Sequence, residues 1–136
     1  MTKLFETTRI KSLTLPNRFV RSATFEGMAN VDGSVTPLLI DTMVKLAKGG
    51  VGLIVTGATS PQREGRGLPL QLEAHSDEMI PGLSKMTGAV HEAGGRIAMQ
   101  ICHAGGQTTQ ELIGQTPMGP SACGEKGFTC REMTLE

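Results

Sequence analysis

The sequence contains no tryptophan and no tyrosine, and only four phenylalanines among its 136 residues. Any core must therefore come from Val, Ile, Leu, Met and Ala. An excess of charge is also missing: 13 basic residues balance 13 acidic ones, which leaves no basic footprint and argues against nucleic acid as a partner. No apolar run approaches the ~18 residues that would suggest a membrane span. The opening Met1-Thr2-Lys3-Leu4-Phe5-Glu6 has no long apolar stretch after its single Lys, so it does not read as a secretory signal. Cysteine is scarce and odd in number. Cys102, Cys123 and Cys130 fit neither a zinc nor a disulfide spacing, which points to a reducing cytoplasm. Cys123 and Cys130 have no partner pair, and read as loop residues rather than metal ligands. The length suits one small domain and falls well short of the ~250 residues of a complete (β/α)₈ barrel.

What is present is a regular alternation. Ile10-Lys11-Ser12-Leu13-Thr14-Leu15 alternates apolar and polar residues before Pro16-Asn17 breaks it, which predicts a small N-terminal hairpin. Phe19–Ala23 is a short candidate strand. Residues 26–36 follow as a loop with Asp32-Gly33 as a tight turn. Thr36 is a natural N-cap and Pro37 suits the first helical position. Leu38, Leu39, Thr42, Met43, Leu46 and Ala47 then recur at helical spacing until Gly49-Gly50. Val51–Thr56 is almost continuously apolar, as in a strand covered on both faces. A polar loop carrying Arg63, Arg66 and Gly67 precedes a second helix. Ser76 is its expected cap, Asp77 and Glu78 suit the positive end of its dipole, and Met79, Ile80, Leu83, Met86, Thr87 and Val90 form its apolar face. Gly94-Gly95 closes that helix, and Arg96–Ile101 is the next expected buried strand. From residue 103 about thirty residues rich in Gly, Thr, Pro and Gln show no clear element. Thr134 and the acid after it read as the start of a helix.

Strand, helix, strand, helix, strand is the signature of consecutive βαβ units. In parallel α/β folds, ligands sit at the C-terminal ends of the strands. Here those ends are Ser22 to Phe25, Gly57 to Thr59 and Gln100 to His103. Small residues there let a flat ligand approach the backbone. The Gln100 amide offers a donor and an acceptor to a ring edge carrying a carbonyl beside an N–H.

The motifs Leu4-Phe5, Leu15-Pro16-Asn17-Arg18-Phe19-Val20, Gly49-Gly50-Val51-Gly52-Leu53-Ile54, Gly65-Arg66, His91-Glu92-Ala93-Gly94-Gly95, Gln100-Ile101-Cys102-His103-Ala104-Gly105 and Pro120-Ser121-Ala122 stand in this order. In that order and spacing the chain resembles the Old Yellow Enzyme, or NADH:flavin oxidoreductase, family over nearly its whole length. The resemblance implies a TIM barrel with FMN at its C-terminal face. Residues 1–136 would be the N-terminal part of that single barrel domain, with about three βα strands and an N-terminal hairpin. It implies hydride transfer from NADH or NADPH, through the flavin, to a small-molecule acceptor such as an activated alkene. Ser22, Ala23, Thr24 and Phe25 would lie along the flavin, Ala58 against it, and Gln100 on its pyrimidine edge. The family's substrate-binding His pair or His–Asn pair, its Arg near the flavin N1 and its phosphate loops would lie beyond residue 136.

Three departures stand out. Phe25 occupies a position where the family often has Thr or Cys, and cannot donate a hydrogen bond to the flavin. The Tyr that many relatives place near Gly27 is missing, and Gly106 replaces a usual Arg. His103 is expected to organise the site rather than react, and His75 and His91 to lie at the surface. Arg63 and Arg66 read either as solvated loop charges or as residues facing the substrate entrance. Two rival readings remain. One is a non-catalytic fragment that folds by self-association or onto the missing part. The other is a different phosphate-binding barrel enzyme.

Overall fold

The computed structural model of the protein describes residues 3–125 and 128–134. The N-terminal hairpin forms as the alternation predicts: β1 (Thr8–Ile10) pairs antiparallel with β2 (Leu13–Leu15), with Lys11 at φ 52° in the turn. Asn17 joins this cap to the rest. Its Nδ2 donates to Gly50 O at 2.7 Å, and its Oδ1 accepts from Phe19 N at 3.0 Å.

The centre of the fold is a parallel three-stranded sheet in the order β3 (Val20–Arg21), β4 (Leu53–Thr59), β5 (Ile97–Ile101). α1 (Pro37–Lys48) and α2 (Ile80–Glu92) connect these strands and pack against each other and the sheet. α1 begins as expected: Thr36 accepts the Leu39 N–H at 3.1 Å and Pro37 opens the first turn. It ends at Gly49, followed by Gly50 at φ +81°. Leu39, Met43 and Ala47 of α1, Ile54 of β4, and Met86 and Val90 of α2 form the core with Leu72 and Ala29. Aliphatic side chains and methionine fill it, each fully buried one contributing roughly 1.5–3 kcal/mol.

The structure corrects several sequence expectations. α2 does not start at Ser76, whose side chain caps nothing. A 3₁₀ turn over Asp77–Met79 comes first, and the α-helix starts at Ile80 with Pro81 in its first turn. Proline lacks the N–H that the helix interior needs, so it fits only near the start. Leu38 and Ile80, assigned to the apolar faces, are 59% and 53% exposed. β5 is not buried: it forms the sheet edge and Ile101 is 70% exposed. The supposedly featureless stretch after residue 103 also carries structure. It holds α3 (Gln110–Ile113) and a second small sheet in the order β6 (Met118–Gly119), β8 (Phe128–Glu132), β7 (Cys123–Glu125). The antiparallel register of β7 and β8 sets Cys123 opposite Cys130, where they form a disulfide. Sequence spacing hides this pair, because a hairpin register brings them together, not a cysteine framework. The cysteine count therefore no longer argues for a reducing compartment. The expected helix at Thr134 would run into Leu135 and Glu136, outside the described residues.

Candidate functional site

The C-terminal ends of β3, β4 and β5 lie side by side because the three strands are parallel and adjacent. β4 and β5 change register between Val55 and Ala58. Gly57 lies in the irregular stretch, as glycine in a strand often does at a bulge. The bulge would orphan a backbone donor, and the Thr56 hydroxyl takes it. Its Oγ1 accepts from Gln100 N at 3.2 Å and donates to Gly57 O at 3.0 Å. Beyond the bulge, Ala58 pairs with Gln100 and Thr59 with Ile101. Two residues expected to share one ligand thus stand on adjacent strands at the same level.

Ser22 to Phe25 leave β3 and fold toward β4. An ion pair fixes this path: Arg21 Nη1 lies 2.6 Å from Glu26 Oε1 and donates to Val55 O at 3.0 Å, and Nη2 donates to Thr24 O at 3.3 Å. Glu26 Oε1 also accepts from Gly57 N at 3.3 Å. Both charges are mostly buried, so the pair acts as a clamp between two strand ends rather than as a surface contact. Sequence reasoning missed both residues, because nothing in the motif around Arg21 signals a partner five residues away.

The six expected cofactor residues lie at the C-terminal ends of the three adjacent strands, and none is buried. Ser22, Thr24 and Gln100 are exposed, Phe25 is 42% exposed, and Ala23 and Ala58 are partly exposed. Phe25 and Ala58 line the same small crevice with Leu70 and Leu72. The Gln100 carboxamide makes no hydrogen bond among the described residues, although its backbone is tied down. An unengaged amide over small side chains suits the edge of a flat heteroaromatic ring. These residues therefore fit such a cofactor on chemistry.

The loop after β4 carries a cluster absent from the sequence reading. Glu73 is fully buried. Its Oε1 lies 2.5 Å from Arg66 Nε, and its Oε2 lies 2.7 Å from His75 Nδ1, without hydrogen-bond geometry. Arg63 Nε donates to His75 Nε2 at 3.2 Å. With Nε2 accepting, the ring proton sits on Nδ1, facing Glu73. His75 is thus not the surface residue expected: its side chain is largely buried against a carboxylate. The nearest sequence signal was the alternation of Glu73 and His75, which places both on one side of an extended segment. His103 is exposed at the end of β5, with Nδ1 accepting from Gly105 N at 3.0 Å. Its ring fills the space beside Gly65, where a Cβ would come within 2.5 Å of His103 Cδ2. Ala104 N donates to Gly65 O at 2.9 Å.

Residues 3–136 match the NADH:flavin oxidoreductase / NADH oxidase family. The chain belongs to that family. It is 39% identical to an NADH oxidase of Thermoanaerobacter brockii over 97% of its own length and 21% of the relative's. With an NADPH dehydrogenase of Bacillus subtilis it shares 37% identity, over 98% of this chain and 40% of that one. Its fold superposes on the old yellow enzyme homologue from Zymomonas mobilis with a TM-score of 0.87 at 29% identity, covering 98% of this chain and 40% of that chain. The βαβ units described above are thus an N-terminal portion of the Old Yellow Enzyme TIM barrel. The chain spans well under half the length of these relatives.

Proposed function

We propose that the chain carries part of the flavin site of an FMN-dependent oxidoreductase. In this reading residues 1–136 belong to one FMN-binding barrel domain. The full site passes hydride from NADH or NADPH to a small-molecule acceptor such as an activated alkene. Bound flavin would supply the two-electron chemistry, and the protein its position and electrostatics. Ser22, Ala23, Thr24 and Phe25 would lie along the ring system, Ala58 against it, and Gln100 on its pyrimidine edge. Catalytic side chains are not assigned among residues 1–136. The carrying observation is the pairing of Ala58 with Gln100 at the strand ends, with the Gln100 amide unengaged.

The Arg21–Glu26 clamp holds the backbone of Ser22–Phe25 in place before any ligand arrives, so little ordering remains to be done on binding. Phe25 presents an apolar ring, so it would shield one side of the cofactor from water and donate no hydrogen bond to it.

A visible absorption spectrum of the purified chain, before and after FMN addition and desalting, tests this reading. Retained flavin bands that Gln100→Leu weakens support the site. Bands that survive Gln100→Leu unchanged refute the role of Gln100. A colourless protein favours a second reading, motivated by the open β5 edge and exposed Ile101: a non-catalytic piece that folds by self-association or against further barrel strands. Sedimentation of that colourless sample would then show oligomers. The nicotinamide donor, a small-molecule acceptor and a cytoplasmic setting belong to the same proposal. No helix among the described residues is long and apolar enough to cross a membrane.

A further inference from the structure

We propose that Arg63 and Arg66, in the loop after β4, form a clamp for a phosphoryl group on a nucleotide-bearing ligand. The choice of a nucleotide rests on the oxidoreductase reading; the clamp itself rests on geometry. The two arginines line a cavity of about 90 Å³ with Glu73, Leu112 and Ile113. Gly65, between the two arginines, packs on His103 at the end of β5, which ties this loop to the strand that carries Gln100.

Both guanidiniums are oriented through Nε. Arg66 is held by Glu73 Oε1 and by Nη1 donation to Val31 O at 2.8 Å. Arg63 is held by His75, which leans on the other oxygen of the same carboxylate. One buried Glu73 therefore aims two arginines, directly and through one imidazole. Two carboxylates stand near the two arginines: Glu73 against Arg66, and Asp32 within coulombic reach of Arg63. The terminal N–H groups of Arg63 make no hydrogen bond within the protein among the described residues. Arg63 is exposed, yet it is tethered at Nε, as a freely solvated arginine is not. Arg63, held by Nε with its fork free, is preorganised for bidentate recognition of phosphate, and Arg66 keeps Nη2 to join it. Leu112 and Ile113, both partly buried, give the cavity an apolar wall on one side.

The phosphoryl group could be carried by the hydride donor or by a phosphorylated acceptor. Calorimetric titration of the full chain at low salt, with and without FMN, uses inorganic pyrophosphate, NADH and NADPH as probes. Arg63→Gln is the test variant, because Arg63 is exposed and its loss leaves the buried Arg66–Glu73 pair intact. Its thermal melt should match the wild type. The expected result is an affinity loss of about ten- to a hundredfold for pyrophosphate, with partial recovery in Arg63→Lys. A parallel loss for both dinucleotides assigns the clamp to the donor diphosphate. A loss for NADPH alone assigns it to the 2′-phosphate. A loss for pyrophosphate alone assigns it to a phosphorylated acceptor. Equal binding of all three probes by wild type and Arg63→Gln overturns the clamp. Arg63-dependent pyrophosphate binding by a protein that never takes up FMN would sink the flavin reading and leave the clamp standing.

Discussion

Glu73→Ala removes the carboxylate on which Arg66 and His75 both converge. Glu73 is fully buried and the Arg66 side chain is only 13% exposed, so solvent can replace little of what is lost. Breaking a buried pair from one side costs about 3–5 kcal/mol, because the remaining charge has no compensation. Domains of ordinary stability hold about 5–15 kcal/mol in total, so this variant loses a large share of the fold. With a urea slope of about 2 kcal/mol per molar, its midpoint falls by about 2 M. Glu73→Gln keeps the shape and an acceptor for Arg66 Nε but loses the charge, and should cost about 1.5–3 kcal/mol. Replacing both partners with apolar residues, Glu73→Leu with Arg66→Met, should recover much of the alanine loss. Urea unfolding followed by circular dichroism measures all three. An alanine variant within about 1 kcal/mol of wild type, or a double variant worse than either single one, would refute the description of Glu73 as a buried ion-pair centre.

Three further outcomes follow from the same geometry. Gly33→Ala meets both a φ of +84° and the Glu73 side chain, 2.5 Å from where its Cβ would lie; it should cost at least about 2 kcal/mol in the same urea assay, and a neutral result would contradict that packing. Thiol titration of the denatured, unreduced protein should find one free cysteine, Cys102, against three after reduction; three before reduction would exclude the Cys123–Cys130 bond. The Asp32 carboxyl is held below its usual 3.8 by the Ser34 side chain first and then by the Ser34 backbone N–H. Its folded value is depressed, so its contribution is present above about pH 3.8 and is lost as pH falls through the folded value. Asp32→Asn should remove that component from a stability–pH profile, and an unchanged acid limb would contradict it.

Much of the fold was legible because it rests on local chemistry. Thr36-Pro37 and Gly49-Gly50 bound α1 within a residue, and the Val51–Thr56 run marked the central strand. What was missed depends on contacts between distant residues. Pro81 displaced the start of α2 from Ser76, and the register of β7 with β8, not a cysteine pattern, joined Cys123 to Cys130. β5 was read as buried because its composition is apolar, yet exposure depends on what lies next to it. At the candidate site, Ser22–Phe25, Ala58 and Gln100 could be named from motifs and strand ends. Arg21 with Glu26, and Glu73 with His75, could not, since an ion pair leaves no mark on the sequence until the chain is folded.

Loops at the C-terminal end of a barrel usually vary one at a time, each strand carrying an independent insertion. Gly65 denies this chain that freedom. Its missing side chain admits the His103 ring, and its carbonyl holds the Ala104 N–H, so the loops after β4 and β5 are latched together. A graft that lengthens one without the other pulls the latch apart. Anyone recombining this scaffold with a relative should exchange residues 60–75 and 100–107 as one cassette.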